Sequence, residues 1–456
     1  MNPWETLQKQ RDFFQSNGTR SIAFRVSQLK RLGAILRSHE TALYEAIQLD
    51  FGKSRFETSM TELSLIHGEI NLAIRNLPRW SRRRRMPTNL ANLPADSFII
   101  PEPLGNALVI GAWNFPYQLS LIPAVSAVAA GCTVIVKPSE LSPNTSRAMA
   151  GLINEAMDPA VIHVVEGGAP ETTQLLDERF DKIFFTGSTT VGRIVYQAAA
   201  RHLTPVTLEL GGQNPAIVFK DCALPMAARR ITWGKFLNAG QSCVAPNHVW
   251  VHRSLEDELL SHLRFWIQRL YGENWMSRDN FVKIISDKHL DRLAALIDPE
   301  KVFVGGRVAR EERCIQPTVL RGVTPEDPIL EDEIFGPILP VLTFEDVMEP
   351  IEHIKSRPRP LALYVFSRSR RTIDKILTEV PFGGGAVNDT VLHFTNPHLP
   401  FGGVGQSGIG SCHGEAGFRT FSHFKSILDK PCWFEPFLKY PPYTRIKHKL
   451  LQLLLE

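Results

Sequence analysis

The chain has 456 residues, 43% of them apolar and 21% charged, with a formal net charge of +4. That length accommodates two or three domains, and so small a charge argues against a nucleic-acid footprint or an acidic partner. Six cysteines without a CxxC or Cys/His cluster argue against a zinc site or a disulfide framework, and for a reducing compartment.

The N-terminus, MNPWETLQKQRDFF, has no apolar signal core. No apolar run reaches membrane-spanning length, so the expectation is a soluble, cytoplasmic protein. Residues 4–75 repeat apolar side chains at helical spacing (Ile22, Leu29, Leu32, Leu36, Leu43, Ile47), broken at Gly18 and at Gly52. These helices are expected to cover one face of a sheet. Residues 78–94 hold Arg82-Arg83-Arg84-Arg85 between prolines and read as a solvated connection; contact with an anionic membrane or nucleic acid is the functional alternative.

From Asn106 short apolar runs alternate with helical stretches: ALVIGAW, a small-residue helix stopped by Gly131, TVIVK, a helix capped by Ser142, VIHVVE, KIFFT and PVTLEL. Five such strands with helices between them predict a doubly wound parallel sheet. Ligands on these sheets bind beyond the carboxyl ends of the strands, where Lys137, Thr186 and Glu209 stand. A second α/β unit starts at PAIVF and includes HVWVH, a helix over 255–270, KVFVGG, EDEIFGPILPV and LALYVFS. The Gly- and aromatic-rich tail reads as an arm packing on another subunit.

Between two strongly patterned stretches, residues 237–246 read LNAGQSCVAP. A thiol on such a turn, Cys243, can be exposed and tuned, whereas lone cysteines are more often small buried hydrophobes. FTGSTTVG joins a strand to a helix, where Thr186, Gly187, Ser188 and Gly192 fit either a pyrophosphate site or an ordinary turn. Lys137, Ser139 and Glu140 suit an adenosine ribose or a plain charged loop. Glu209 before Gly211-Gly212 is a candidate general base or a salt-bridged strand terminus. Asn114 is a candidate oxyanion donor or a turn former.

Taken together, GAWNFP, KPSE, FTGST, LELGG, GQSC, EDEIFGP and PFGGVGQSG resemble the aldehyde dehydrogenase superfamily, in its order, over about residues 100 to 410. ITWGKF, HLTPVTLELGG, PLALYVFS and HFT before PFGGVG resemble its class 3-like, fatty-aldehyde branch. The resemblance implies a Rossmann-type cofactor domain (1–80 and 98–209), a catalytic domain (210–390) and an oligomerisation arm (81–97 and 391–456). It implies NAD(P)-dependent oxidation of an aldehyde to an acid: Cys243 as nucleophile, Asn114 as oxyanion donor, and Glu209 activating the water that hydrolyses the thioester. Lys137, Ser139, Glu140, Thr186, Gly187, Ser188, Gly192, Leu210, Glu333 and Phe335 would hold the cofactor. KPSE leaves NAD and NADP both open.

The aromatic and apolar residues Trp113, Phe115, Tyr117, Trp233, Leu237 and Phe394, with Ser242 beside the nucleophile, would line an apolar substrate tunnel. The substrate is then a medium- or long-chain, aromatic or apocarotenoid-type aldehyde. Lack of an N-terminal extension implies a homodimer. The tail, RIKHKLLQLLLE, is an amphipathic helix too short to span a bilayer. Its expected roles are packing on the dimer, then a tunnel lid, then weak membrane-surface contact. His393, His398 and His413 read as loop histidines, and no metal is expected. The competing readings are a cofactor-independent cysteine esterase and a non-catalytic binding protein on the same fold.

Overall fold

The computed structural model describes residues 3–273, 275–277 and 281–455, side chains excepted at 3, 277, 454 and 455. Leu454 and Glu456 of the expected amphipathic tail therefore contribute no described side chain.

The first sheet orders its parallel strands Val206–Glu209, Lys182–Thr186, Asn106–Ile110, Thr133–Lys137 and Ile162–Val164. Each is buried over most or all of its length, as continuous apolar runs such as KIFFT require when helices cover both faces. The period of two is visible in the core: Ala107, Val109, Val134 and Val136 point into one apolar cluster, Leu108, Ile110 and Ile135 into the other. The order reverses beside Asn106–Ile110, so the switch point lies between the loops that follow Ile110 and Thr186.

The N-terminal stretch forms helices Pro3–Gln15, Ile22–Ser38, Glu40–Phe51 and Ser64–Trp80, with left-handed Gly52 (φ 68°) closing the third. They do not share one face. Leu7 of the first packs with Leu108 and Ile110, whereas Leu29, Leu32 and Leu36 pack on the opposite side with Ala107 and Val109. Ser142 precedes helix Pro143–Ala156 as expected, but its hydroxyl donates to Ser139 O instead of capping. Pro at the first helical position needs no such partner for its missing N–H.

Helix Pro116–Ala130 is buried almost throughout and ends at left-handed Gly131 (φ 98°). Its N-terminus is tied down by Glu62, whose Oε2 accepts from Tyr117 N (2.8 Å) and Gln118 N (3.3 Å). Lys53 Nζ donates to the other oxygen at 2.8 Å, and both side chains are fully buried. The ammonium also sits 4.6 Å from the Phe115 ring centroid. Lys53→Met would strand the Glu62 charge in the interior, so we expect a loss of about 3–5 kcal/mol, read from urea unfolding midpoints. Phe115 would lose its anchor at the same time.

The second sheet runs Val302–Val304, Thr318–Leu320, Ile338–Phe344, His248–His252, Pro215–Val218, Ala362–Phe366, Gly384–Val387. All neighbours are parallel except the first pair. The Gly383–Gly385 run belongs in part to its last strand: a Cβ at Gly385 would meet Leu363 O at 2.1 Å. A third sheet joins Arg84–Met86, Asp96–Pro103 and Ser422–Asp429, all antiparallel. The arginine run thus continues into an exposed strand rather than an unstructured connection.

The tail does not all reach outward. Gly408–Ile409 adds an antiparallel strand to the first sheet, placing Gly408 opposite Glu209, and Phe401 and Cys412 exchange backbone hydrogen bonds. Helix Arg445–Leu455 contacts the Leu90–Asn92 turn and leaves Ile446, Leu450, Leu451 and Leu453 exposed. Among the described residues, no helix is long and apolar enough to cross a membrane.

Candidate functional site

Two cavities meet at Cys243 and Glu209, which line both together with Thr186. One lies at the switch point of the first sheet; the other runs between helix Pro116–Ala130 and the returning tail. Cys243 is therefore accessible from two directions although the side chain is half-buried.

The turn that carries the thiol is held in an uncommon shape. Asn238, Ala239 and Gly240 all have positive φ (53°, 51° and 71°). For the two residues with a Cβ this costs roughly 1–2 kcal/mol each, and only over-determined surroundings sustain it. Those surroundings are polar and specific. Asn238 Nδ2 donates to Asn114 O (2.9 Å), and its N–H to Glu57 Oε1 (3.0 Å). Gln241 Nε2 donates to Lys283 O (3.0 Å) and its Oε1 accepts from Ile285 N (3.0 Å). Asn214 Nδ2 clamps Cys243 O (2.7 Å) and Ala245 O (3.0 Å). Gly240 must be glycine, because a Cβ there would meet Gly336 O at 2.3 Å. The reactive sulfur thus sits on a rigid base.

Burial first, then the nearby carboxylates Glu333 and Glu209, push the Cys243 thiol above its ordinary range. Neither oxygen of Glu209 receives a nitrogen or oxygen donor, and burial raises its carboxyl well above the usual carboxylate range. A strand-end salt bridge is thereby ruled out for this residue. Asn114 is buried, lines the switch-point cavity with Cys243, and donates from Nδ2 to Gln241 O (3.2 Å), so one amide proton stays available. A nucleophile, an unpaired base and an amide donor around one point suit acyl chemistry.

The switch-point cavity fits a dinucleotide. Thr186, Gly187, Ser188, Leu210, Glu333 and Phe335 all line it. Ser188 caps helix Thr189–Ala200 by accepting from Val191 N (3.3 Å), which leaves the helix N-terminus aimed at the cavity. Gly192 lies behind it, close enough that a Cβ would meet Leu210 Cδ2 at 2.7 Å. The Thr186 hydroxyl is buried without a partner. A Cβ at Gly211 would strike Glu333 Oε2 at 1.9 Å, so this glycine makes room for that carboxylate. Burial pushes Glu333 up to about 8, opposed by the Gly212 N–H and by Lys235 and Arg292. Lys137, Ser139 and Glu140 stand at the next strand end, outside the cavity lining. Lys137 is buried, donating to Pro138 O (2.6 Å) and facing exposed Glu140 at 3.8 Å.

The tail-side cavity is apolar, with Phe115, Leu119, Ile122, Phe184, Phe394 and Phe401 among its walls. Four of the seven expected tunnel residues line it: Phe115, Leu237, Ser242 and Phe394. Three do not. Trp113 faces the switch-point cavity, its ring against Phe51, His289 and Phe335. Tyr117 is fully buried and donates its hydroxyl to Leu43 O (2.9 Å). Trp233 packs against the core on the helix before the cysteine turn. Cys412 and His413 line the cavity unannounced, carried in by the returning tail; His393 is buried nearby. Among the described residues no cluster of three metal-ligating side chains occurs.

Comparison with known proteins agrees with this geometry. The pattern of the "Aldehyde dehydrogenase family" matches residues 5–427. A 4,4'-diaponeurosporen-aldehyde dehydrogenase of Staphylococcus aureus is 43% identical over 94% of this chain and 94% of its own. The rat "Aldehyde dehydrogenase, dimeric NADP-preferring" is 44% identical over 96% of this chain and 97% of its own. A solved structure titled as the substrate-bound state of Staphylococcus aureus AldH superposes with a TM-score of 0.97 at 42% identity, over 100% of both chains. A thiol and an unpaired carboxylate shared by a dinucleotide cavity and an apolar one thus stand on a chain that belongs to the aldehyde dehydrogenase family, oxidising aldehydes with NAD(P).

Proposed function

We propose that the substrate is a medium- or long-chain, aromatic or apocarotenoid-type aldehyde, oxidised to its acid at Cys243. The observation that carries this reading is the apolar cavity ending at Cys243 and Glu209. The name of the Staphylococcus aureus relative, an apocarotenoid-type aldehyde dehydrogenase, points the same way.

In this reading the Cys243 sulfur adds to the carbonyl carbon, giving a thiohemiacetal. Asn114 Nδ2 and the Cys243 N–H hold the oxyanion. When bound, NAD(P) accepts the hydride from that carbon. The resulting thioester stays on Cys243 until Glu209 removes a proton from water, whose oxygen attacks the acyl carbon and frees the thiol. Glu333 and Phe335 orient the nicotinamide end, Thr186, Gly187, Ser188, Gly192 and Leu210 the pyrophosphate region, and Lys137, Ser139 and Glu140 the adenosine ribose. Ser242 and Leu237 shape the approach of the aldehyde. The sheet-bearing segments divide accordingly: 1–80 and 98–209 for the cofactor, 210–390 for catalysis, 81–97 and 391–456 for assembly.

A chain-length series tests the substrate class. We expect kcat/KM to rise from propanal to decanal by at least about tenfold, since each buried methylene contributes about 0.8 kcal/mol before binding costs. A preference for propanal would overturn it. We further propose a cytoplasmic homodimer, for which six free cysteines and the rat relative named as dimeric are the support. Sedimentation should give the mass of two chains; a monomer would refute it. The exposed apolar face of helix Arg445–Leu455 is then assigned to packing on the dimer, ahead of a lid or a membrane-surface contact.

A further inference from the structure

The reading of Glu209 as the base leaves a question that the fold answers. A fully buried carboxylate with no nitrogen or oxygen donor has nothing to fix its orientation. The polar group set against it is the thiol of Cys412, itself buried and part of the same cavity wall. That approach is built by the backbone. Gly408 pairs with Glu209 across the sheet edge, Leu210 N donates to Ser407 O (3.1 Å), and Cys412 is bonded both ways to Phe401. The tail loop is thereby stitched to the strand end that presents the carboxylate.

We propose that Cys412 is a positioning residue: its thiol donates to the Glu209 carboxylate and turns it toward the acyl group on Cys243. This rests on the assignment of Glu209 as base. A thiol is a weak donor, so it orients the carboxylate while leaving it basic, which a hydroxyl would not do. The titratable groups around the pair are few. Cys243 faces both from the cysteine turn, and His413, held neutral by burial, lines the same cavity. Glu69, from helix Ser64–Trp80, faces Cys412 and is pushed up to about 7 by burial, and Glu333 faces Cys243.

The test is the pH dependence of thioester hydrolysis, followed by quenched single turnovers of decanal with NAD(P) in Cys412→Ser, Cys412→Ala and Glu209→Gln. Serine, a stronger donor, should move the acid limb down by about 0.5 pH unit or more and slow hydrolysis at its plateau. Alanine, without a donor, should move the limb up and slow hydrolysis through lost orientation. Opposite shifts are what a merely structural role would not produce, and unchanged thermal unfolding confirms that both variants fold. If Glu209→Gln stalls while both Cys412 variants keep the wild-type midpoint, or shift it in one direction, the role of Cys412 is refuted and that of Glu209 stands. If Glu209→Gln hydrolyses the thioester undiminished, both assignments fall.

Discussion

Replacing Cys243 by alanine is expected to reduce aldehyde oxidation by about 10⁴-fold or more, since no other group can form the acyl bond. The variant should fold as the parent does. The turn is held by Asn214, Asn238 and Gln241 through their amide groups, and none of these contacts involves the sulfur. Dinucleotide binding should survive, because Ser188, Leu210 and Glu333 remain in place. Steady-state formation of reduced cofactor together with a cofactor-binding titration separates these effects. Appreciable oxidation by a folded Cys243→Ala protein would remove the thiol from the chemistry and reopen the non-catalytic reading.

Glu209→Gln is expected to stall the enzyme after its first half-reaction. One equivalent of reduced cofactor per site should appear in a burst, followed by turnover slower by about 10²–10⁴-fold. Glutamine keeps the shape but cannot take a proton from water. The pH profile carries a second signature. Burial holds the Glu209 carboxyl above the usual carboxylate range, so its basic form fills only as pH climbs through that raised value. Wild-type hydrolysis should therefore rise with pH on this limb, and the variant should lack it. A burst with no stall would show that another group activates the water.

Much of this site is legible in the residues. Strands such as TVIVK and KIFFT can only be doubly buried, which places Lys137 and Thr186 at strand ends. What is not legible is which way a wall faces. Trp113 and Phe115 lie two positions apart in a loop, yet the wall they belong to separates two cavities, and each ring faces a different one. Tyr117 and Trp233 share the aromatic character of a tunnel lining but sit on helices whose apolar side is the core. The Lys53–Glu62 pair is equally hidden, because nothing local reveals that two charges will be buried together. Even the cysteine turn kept its main feature back: Asn238 and Gly240 are ordinary left-handed residues, but Ala239 is not, and only the surrounding amides explain it.

The edge strand Gly408–Ile409 has a consequence for how the protein is made. Until the ribosome has extruded that stretch, the strand ending in Glu209 offers bare backbone amides and carbonyls, an invitation to pair with other nascent chains. Synthesis proceeds from the N-terminus, so the base is laid down almost two hundred residues before its cover (408 − 209 = 199). A product truncated short of 408 would keep the nucleophile, the base and the amide donor, and would still be both sticky and inert. Completion of the site is thereby tied to completion of nearly the whole chain.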